Sequence, residues 1–370
     1  MDTNDMMNDG YGSELVNTRE ETDKKCPACG GIMEYEPSSG MLLCPFCDNK
    51  EEIEVKDPGF VAEEIDFYEA EEEASCDWGV ATKSVICKAC GAETVYDVNE
   101  IAGACPYCGS NQVMDDPNTK KIMAPGGVLP FKIDAAKASE EFKKWIGKKF
   151  FCPKLAKESA KPDAFNGVYV PFWTFDADTE SRYQGEYGTE HQRRDRDGNM
   201  RTEIRWHRTS GHISKFFDDV LVCGSAKQSE SIVNGLEPYD TKQTVEYKPE
   251  YMAGFKAERY TVKMKAAWEK AKNKIASILR SDATQQIRAM HGTSHTRNVS
   301  VATSYSNITY KYLLLPIWIS AFQYNGKVYQ FMVNGQTGKV SGRTPISWIK
   351  VGLTVLAVIA VLIILNWLFG

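Results

Sequence analysis

The sequence contains no GxxxxGK[ST] phosphate loop, which excludes an ordinary P-loop ATPase or helicase motor. It also lacks a GxSxG elbow and a GxGxxG turn, the usual signs of a serine hydrolase and a dinucleotide site. Histidine is scarce, at 5 residues in 370. The one close pair, His291 and His295, sits in a Gly-, Ser- and Thr-rich segment without the glutamate of HExxH, and reads as loop histidines near a strand. Asp195-Arg196-Asp197-Gly198-Asn199 lacks the further ligands and terminal glutamate of a calcium loop, and reads as a hairpin tip. The first 25 residues are polar and acidic, with no apolar run resembling a signal peptide. Reduced cysteines in a cytosolic compartment are therefore expected.

Cysteine, by contrast, is concentrated. Eight of the 11 cysteines make two copies of one pattern: Cys26-Pro27-Ala28-Cys29 then Cys44-Pro45-Phe46-Cys47, and Cys87-Lys88-Ala89-Cys90 then Cys105-Pro106-Tyr107-Cys108. Fourteen residues separate the CxxC pairs in both copies, the offset is 61 at all four cysteines, and Tyr35 and Tyr96 keep the same register. Each CxxC turn aims two thiolates at one point, and two turns complete a tetrahedral Zn²⁺ site. Gly30, Gly91 and Gly109 follow ligands, where the turn favours a residue without a Cβ. The pattern predicts two zinc ribbons, each holding one structural ion in a closed sphere of four thiolates. Cys76, Cys152 and Cys223 belong to no such framework.

Charge is divided along the chain. Residues 1–120 carry 27 Asp/Glu against 8 Lys/Arg, and residues 121–370 carry 23 against 36. The acids are densest from Glu51 to Glu73, where eleven face the single Lys56. Nucleic-acid affinity rests on neutralising phosphates with Lys and Arg. The ribbons instead carry Glu34, Glu36, Asp48, Glu93, Asp97 and Glu100, so electrostatics argues against nucleic acid and for protein docking or bracing. At the other end, Val351 to Phe369 is nineteen residues without a charge, with Trp348 and Trp367 near its two ends and Lys339, Arg343 and Lys350 on its N-terminal side. A helix of that length nearly matches the hydrocarbon core of a bilayer, and a buried helix of a soluble domain would show a polar face. A tail-anchored protein with its bulk in the cytoplasm is expected.

The predicted fold class is α+β, in six parts: a disordered acidic tail (1–24), ribbon one (25–50), an acidic tether (51–83), ribbon two (84–112), a mixed domain (121–345) and a transmembrane helix (348–369). The tether reads either as a solvated helix around Ile65–Ala74 or as extended chain. Asp134 can cap a helix carrying Ala138, Phe142, Trp145 and Ile146, and Tyr260 to about Met290 is the longest helical candidate. Strands are expected from Gly167 to Gly188, opening with Val168–Trp173, around Ile204–His207, at 216–222, 299–305 and 310–324, with Asn325-Gly326 leading by a hairpin turn into 327–333. Asp176, Asp178 and Glu180 alternate, as the solvated face of a strand would. Phe172, Trp173, Trp206, Trp268 and Trp318 read as core. Val168-Tyr-Val-Pro171-Phe172-Trp173 is similar to Leu313-Leu-Leu-Pro316-Ile317-Trp318, which implies a domain of two similar halves.

The second cysteine pattern, Gly126-Gly127-Val128-Leu129-Pro130-Phe131-Lys132, Tyr169-Val170-Pro171-Phe172-Trp173 and Val333-Asn334-Gly335-Gln336-Thr337-Gly338-Lys339-Val340 together resemble a family of Gram-positive bacterial proteins. These are often called TFIIB-type zinc-ribbon proteins, or named after the primosomal helicase, and they carry a C-terminal membrane segment. One branch is associated with an operon encoding a flotillin-like protein and a phage-shock-type coat protein. The resemblance implies a membrane adaptor. The expected function is thus a non-enzymatic, membrane-anchored adaptor with two structural Zn²⁺ ions, whose ribbons recruit a protein partner, with a membrane-tethered nucleic-acid-binding protein as the alternative.

Overall fold

The computed structural model describes residues 25–54, 59–68, 82–87, 93–97, 113–115, 125–158, 165–194, 200–226, 228–258 and 260–369. The expected disordered tail and Cys76, Cys90, Cys105 and Cys108 lie outside them. In chain order the strands are β1 (Glu34–Glu36), β2 (Met41–Leu43), β3 (Lys50–Glu51), β4 (Ile65–Asp66), β5 (Thr82–Cys87), β6 (Glu93–Asp97), β7 (Val113–Asp115), β8 (Gly127–Val128), β9 (Asn166–Arg194), β10 (Met200–Cys223), β11 (Lys256–Ala257), β12 (Thr296–Tyr324), β13 (Lys327–Asn334) and β14 (Val340–Gly342). The helices are α1 (Ala135–Gly147), α2 (Lys154–Glu158), α3 (Glu230–Asn234), α4 (Met264–His291) and α5 (Trp348–Phe369).

Where the sequence pattern predicts several separate strands, the chain makes three long ones. β9 and β12 each run 29 residues and β10 runs 24, all antiparallel with β9 in the middle. At about 3.3 Å per residue, a 29-residue strand reaches roughly 95 Å. Expected strands 299–305 and 310–324 are one element, and the gap between them is a β-bulge at Ser306/Thr309 with Asn307 at φ 50°. Asn325 and Gly326, at φ 50° and 72°, make the predicted hairpin turn into β13.

The burial pattern of β9 divides the sheet. From Val168 to Ala177 every side chain is buried, so both faces are covered. Further out, Thr179, Ser181 and Tyr183 are buried while Glu180, Arg182 and Gln184 are exposed, so only one face is. That face is closed by the 28-residue α4, which presents Ala267, Ala271, Ile275, Leu279, Ala283 and Ile287 at helical spacing. The cover at the base includes α1, capped as expected by Asp134, whose side chain accepts the Lys137 N–H.

The Val168–Trp173 and Leu313–Trp318 likeness has a structural counterpart: the two segments are neighbouring antiparallel strands, paired through Val170↔Leu315. They also make matching bonds. Trp173 Nε1 donates to Val262 O just ahead of α4, and Trp318 Nε1 to Ile133 O just ahead of α1. Gly224 N bonds Pro171 O as Gly335 N bonds Pro316 O, and Glu258 N bonds Tyr169 O as Leu129 N bonds Leu314 O. Proline in a central strand ordinarily removes a ladder bond. Here Pro171 falls where the outer partner of β9 changes from β11 to β10, and Pro316 where that of β12 changes from β8 to β13. The missing N–H is needed at neither place.

The first cysteine segment is part of this architecture. Tyr35 and Leu42 of its three-stranded sheet, with Met33 just before β1, belong to one continuous core with Phe131, Tyr169 and Trp318. Tyr35 N bonds Ala253 O, its ring packs edge-on against Tyr251 and Phe255, and its hydroxyl donates to the buried Phe131 carbonyl at 3.1 Å. Tyr35→Phe leaves that carbonyl unpaired and should lower stability by roughly 1–2 kcal/mol, with metal content unchanged; urea titration and metal analysis check both.

The described part of the expected tether also lies on the domain. Ile65–Asp66 pairs with Thr309–Tyr310, Phe67 N bonds Ile308 O, and the Phe67 ring lies 5.7 Å from Trp268. The outer edge of β12 would otherwise present unpaired backbone groups there, and the strap covers them.

Candidate metal centre

Each CxxC of the first pattern is held by a pair of backbone bonds. Gly30 N bonds Cys26 O and Cys26 N bonds Gly31 O; Asp48 N bonds Cys44 O and Cys44 N bonds Asn49 O. Both turns need a left-handed residue four positions after the leading cysteine. Gly30 (φ 75°) supplies one and Asp48 (φ 57°) the other, aspartate being among the residues that tolerate it.

The turns bring the four sulfurs of Cys26, Cys29, Cys44 and Cys47 within 4.8 Å of one another. Cys26 to Cys47 and Cys29 to Cys44 are each 3.5 Å. Zn–S bonds of about 2.3 Å in a tetrahedron imply S···S edges of roughly 3.8 Å, so the group could hold a zinc ion with little movement. Burial opposes ionisation of Cys26, but the N–H groups of Cys29 and Ala28 and the thiols of Cys47 and Cys44 bring it down to about 7. The Asn49 N–H favours a thiolate at Cys47, yet Cys29 and Cys26 push that thiol up to about 12. One thiolate forms readily at Cys26, while the neighbouring thiols resist ionisation of Cys29 and Cys47; a bound divalent cation would relieve that crowding. Cys26 and Cys44 are buried and Cys29 and Cys47 exposed. Of the second pattern, Cys87 ends β5, which pairs with β6 and β7; its three other cysteines lie outside the described residues.

A second cluster was not foreseen. Asp176, read as solvated, is 3% exposed. It sits where both neighbouring strands bulge, β10 at Phe217/Val220 and β12 at Ser306/Thr309. The first bulge puts Asp219 at φ 51°, and its N–H donates to Asp176 Oδ1 at 2.6 Å. Asp176, Asp218 and Asp219 could by proximity hold a cation. Asp176 and Asp219 already have one in Lys311, whose Nζ lies 2.9 Å from Asp219 Oδ1, 3.4 Å from Glu64 Oε1 and 3.7 Å from Asp176 Oδ2. Burial raises the Asp176 carboxyl to about 6, against the pull of Asp219 N–H and Lys311. The readable signal was a lone acid inside Phe172-Trp-Thr-Phe-Asp176-Ala and a lone lysine inside Tyr310-Lys311-Tyr312.

Other sequence-level candidates have ordinary partners. His291 stacks on Tyr187 at 3.7 Å, and His295 Nε2 lies 2.8 Å from Glu190 Oε1. Phe172, Trp173, Trp268 and Trp318 are core as expected; Trp206 is only half-buried, beneath the Arg297 guanidinium at 4.0 Å. Cys152 and Cys223 are buried free thiols. An open cleft of about 600 Å³ is lined by Glu51, Glu52 and Glu54, which follow the first cysteine segment, and by Glu246, Tyr247, Lys248 and Glu250, so negative charge faces solvent there.

No protein-family profile matches the chain, and no solved structure matches it. The chain is similar to YdjG of Bacillus subtilis (strain 168), an uncharacterized protein. The two are 29% identical over 327 residues, covering 88% of this chain and 91% of YdjG.

Proposed function

We propose that this chain is a membrane-anchored, zinc-bearing adaptor that holds a rigid cytoplasmic scaffold at the bilayer and recruits a protein partner. The observation that carries the reading is α5. It offers a 21-residue span with mean hydropathy 2.7, none of it buried against the domain. A core helix would be covered; this one is apolar on all sides, as a helix in lipid is. Lys339, Arg343 and Lys350 on its N-terminal side favour a cytoplasmic domain. Closed thiolate sites suit bracing and docking rather than catalysis. Ribbon one is committed to bracing, since its core is continuous with that of the domain, so recruitment falls to the Cys87–Cys108 ribbon. The motif resemblance supports a role for such an adaptor in membrane stress.

Two measurements test this. Deleting residues 348–370 should move the chain from the membrane to the soluble fraction. Crosslinking and pull-down from membranes should lose one specific partner in Cys87→Ser/Cys90→Ser, while that variant stays membrane-bound. An unchanged partner set would remove the recruiting role.

Nucleic-acid tethering is the second reading, and one observation favours it. The outer β9–β10 hairpin exposes Arg193, Arg194, Arg201, Arg205 and Arg208. Salt-dependent DNA binding by the full chain, abolished by replacing these arginines with glutamine, would support it.

A further inference from the structure

The point where α5 leaves the domain is surrounded by large apolar and basic side chains that the fold does not bury. Phe150 is 66% exposed, Leu155 68% and Trp348 78%, and Phe151 and Ile346 are exposed as well. Lys148, Lys149 and Lys154 are exposed among them, and within the described segment 147–158 the one acid is Glu158, 3.8 Å from Lys154. The 147–153 loop is also tied to the first turn of α5. Ser347 N donates to Phe151 O at 2.8 Å, and Lys350 Nζ donates to Phe150 O and Cys152 O, both at 2.9 Å. Lys350 Nζ also lies 5.6 Å from the Phe150 ring centre.

We infer that the Lys148–Leu155 loop and helix form a second membrane contact that inserts aromatic side chains into the headgroup zone of an anionic leaflet. The inference rests on reading α5 as a membrane span. If the span begins near Trp348, the loop backbone bonded to Ser347 and Lys350 lies level with its first turn, which is the interface. Aromatic rings are favoured at that depth, and clustered lysines beside a span are attracted to anionic lipid. A protein occupant would need an acidic apolar surface at the same depth; the leaflet is continuous with the span and has the complementary charge. The contact restrains rotation of the domain about α5.

The test is photo-crosslinking of the full chain in vesicles of neutral phosphatidylcholine alone or with about one-third phosphatidylglycerol. A benzophenone-bearing phenylalanine replaces Phe150, Leu155, Leu356 or Arg205 in turn, with metal content as the check on folding. Lipid adducts are expected at 150, 155 and 356 and not at 205. The loop adducts should fall at least three-fold in neutral vesicles and in Lys148→Gln/Lys149→Gln/Lys154→Gln. Adducts at 356 without any at 150 or 155 would overturn the loop contact and leave the anchor standing. Absence of lipid adducts at 356 would overturn the anchor and the loop contact together. Loop adducts to protein instead of lipid, or equal loop yields in both vesicle types, would overturn the anionic-leaflet assignment.

Discussion

Replacing Cys44 with serine should remove one metal ion per chain and destabilise far more than the small cysteine segment that contains it. Cys44 is fully buried and shares the core of Met33, Tyr35 and Leu42. A four-thiolate site supplies folding free energy outright, because no preformed site exists in the unfolded chain. Without it the three short strands have little to hold them, and Tyr35 withdraws from Tyr251, Phe255 and the Phe131 carbonyl. The domain then exposes an aromatic face, at an expected cost of at least about 3 kcal/mol. Metal analysis paired with denaturant unfolding reads both effects. If the ion were lost with the main transition unmoved, the ribbon would be an independent module and not a brace.

Lys311→Met should be the most damaging single change at the waist of the sheet. The ammonium is buried among Asp176, Asp219 and Glu64, and removing one partner of a buried ionic cluster typically costs about 3–5 kcal/mol. The loss should depend on pH. Asp176 has a folded value of about 6 against an ordinary 3.8, so its neutral form is the one the fold prefers. The stability it contributes is fully present below about pH 4 and is lost as pH rises through about 6. Glu64 goes the other way: despite burial, its contacts with Asp176, Thr309 and Lys311 lower its carboxyl, so its contribution is lost on acidification. With Lys311 gone, the repulsion among ionised acids is worst at pH 8 and is relieved at pH 5 as Asp176 takes up a proton. Urea titrations at the two pH values should therefore show a larger deficit at pH 8, and Asp176→Asn should recover part of it. An equal deficit at both would mean that the packed aliphatic stem of Lys311 matters more than its charge.

These two sites mark how far local pattern carries. The CxxC spacing determined the first four-cysteine group by itself, because a CxxC turn makes the same short-range bonds wherever it occurs; Gly30 and Asp48 complete two such turns without help from the rest of the fold. The apolar run that forms α5, the Asp134 cap of α1 and the Asn325-Gly326 turn were legible for the same reason: period and turn chemistry are local. So was the likeness between the Pro171 and Pro316 segments, though their pairing with each other was not.

Only the tertiary structure decided the rest. Strand from Gly167 to Gly188 was legible, but its joining into one 29-residue element was not: β10 and β12 supply partners on both edges and α4 covers a face. Asp176 follows the same alternation as Glu180, yet it is buried, since two bulges from different strands and a strap from residues 59–68 converge on it. The first cysteine segment, expected as a zinc ribbon separate from the domain, read that way because its metal-ligand candidates are all its own. Its core is shared through Tyr35, and no spacing within residues 25–50 encodes where the Phe131 carbonyl, 96 residues further on, will be. Metal geometry is written in neighbours along the chain; burial and charge pairing are written in contacts that exist only once distant strands have met.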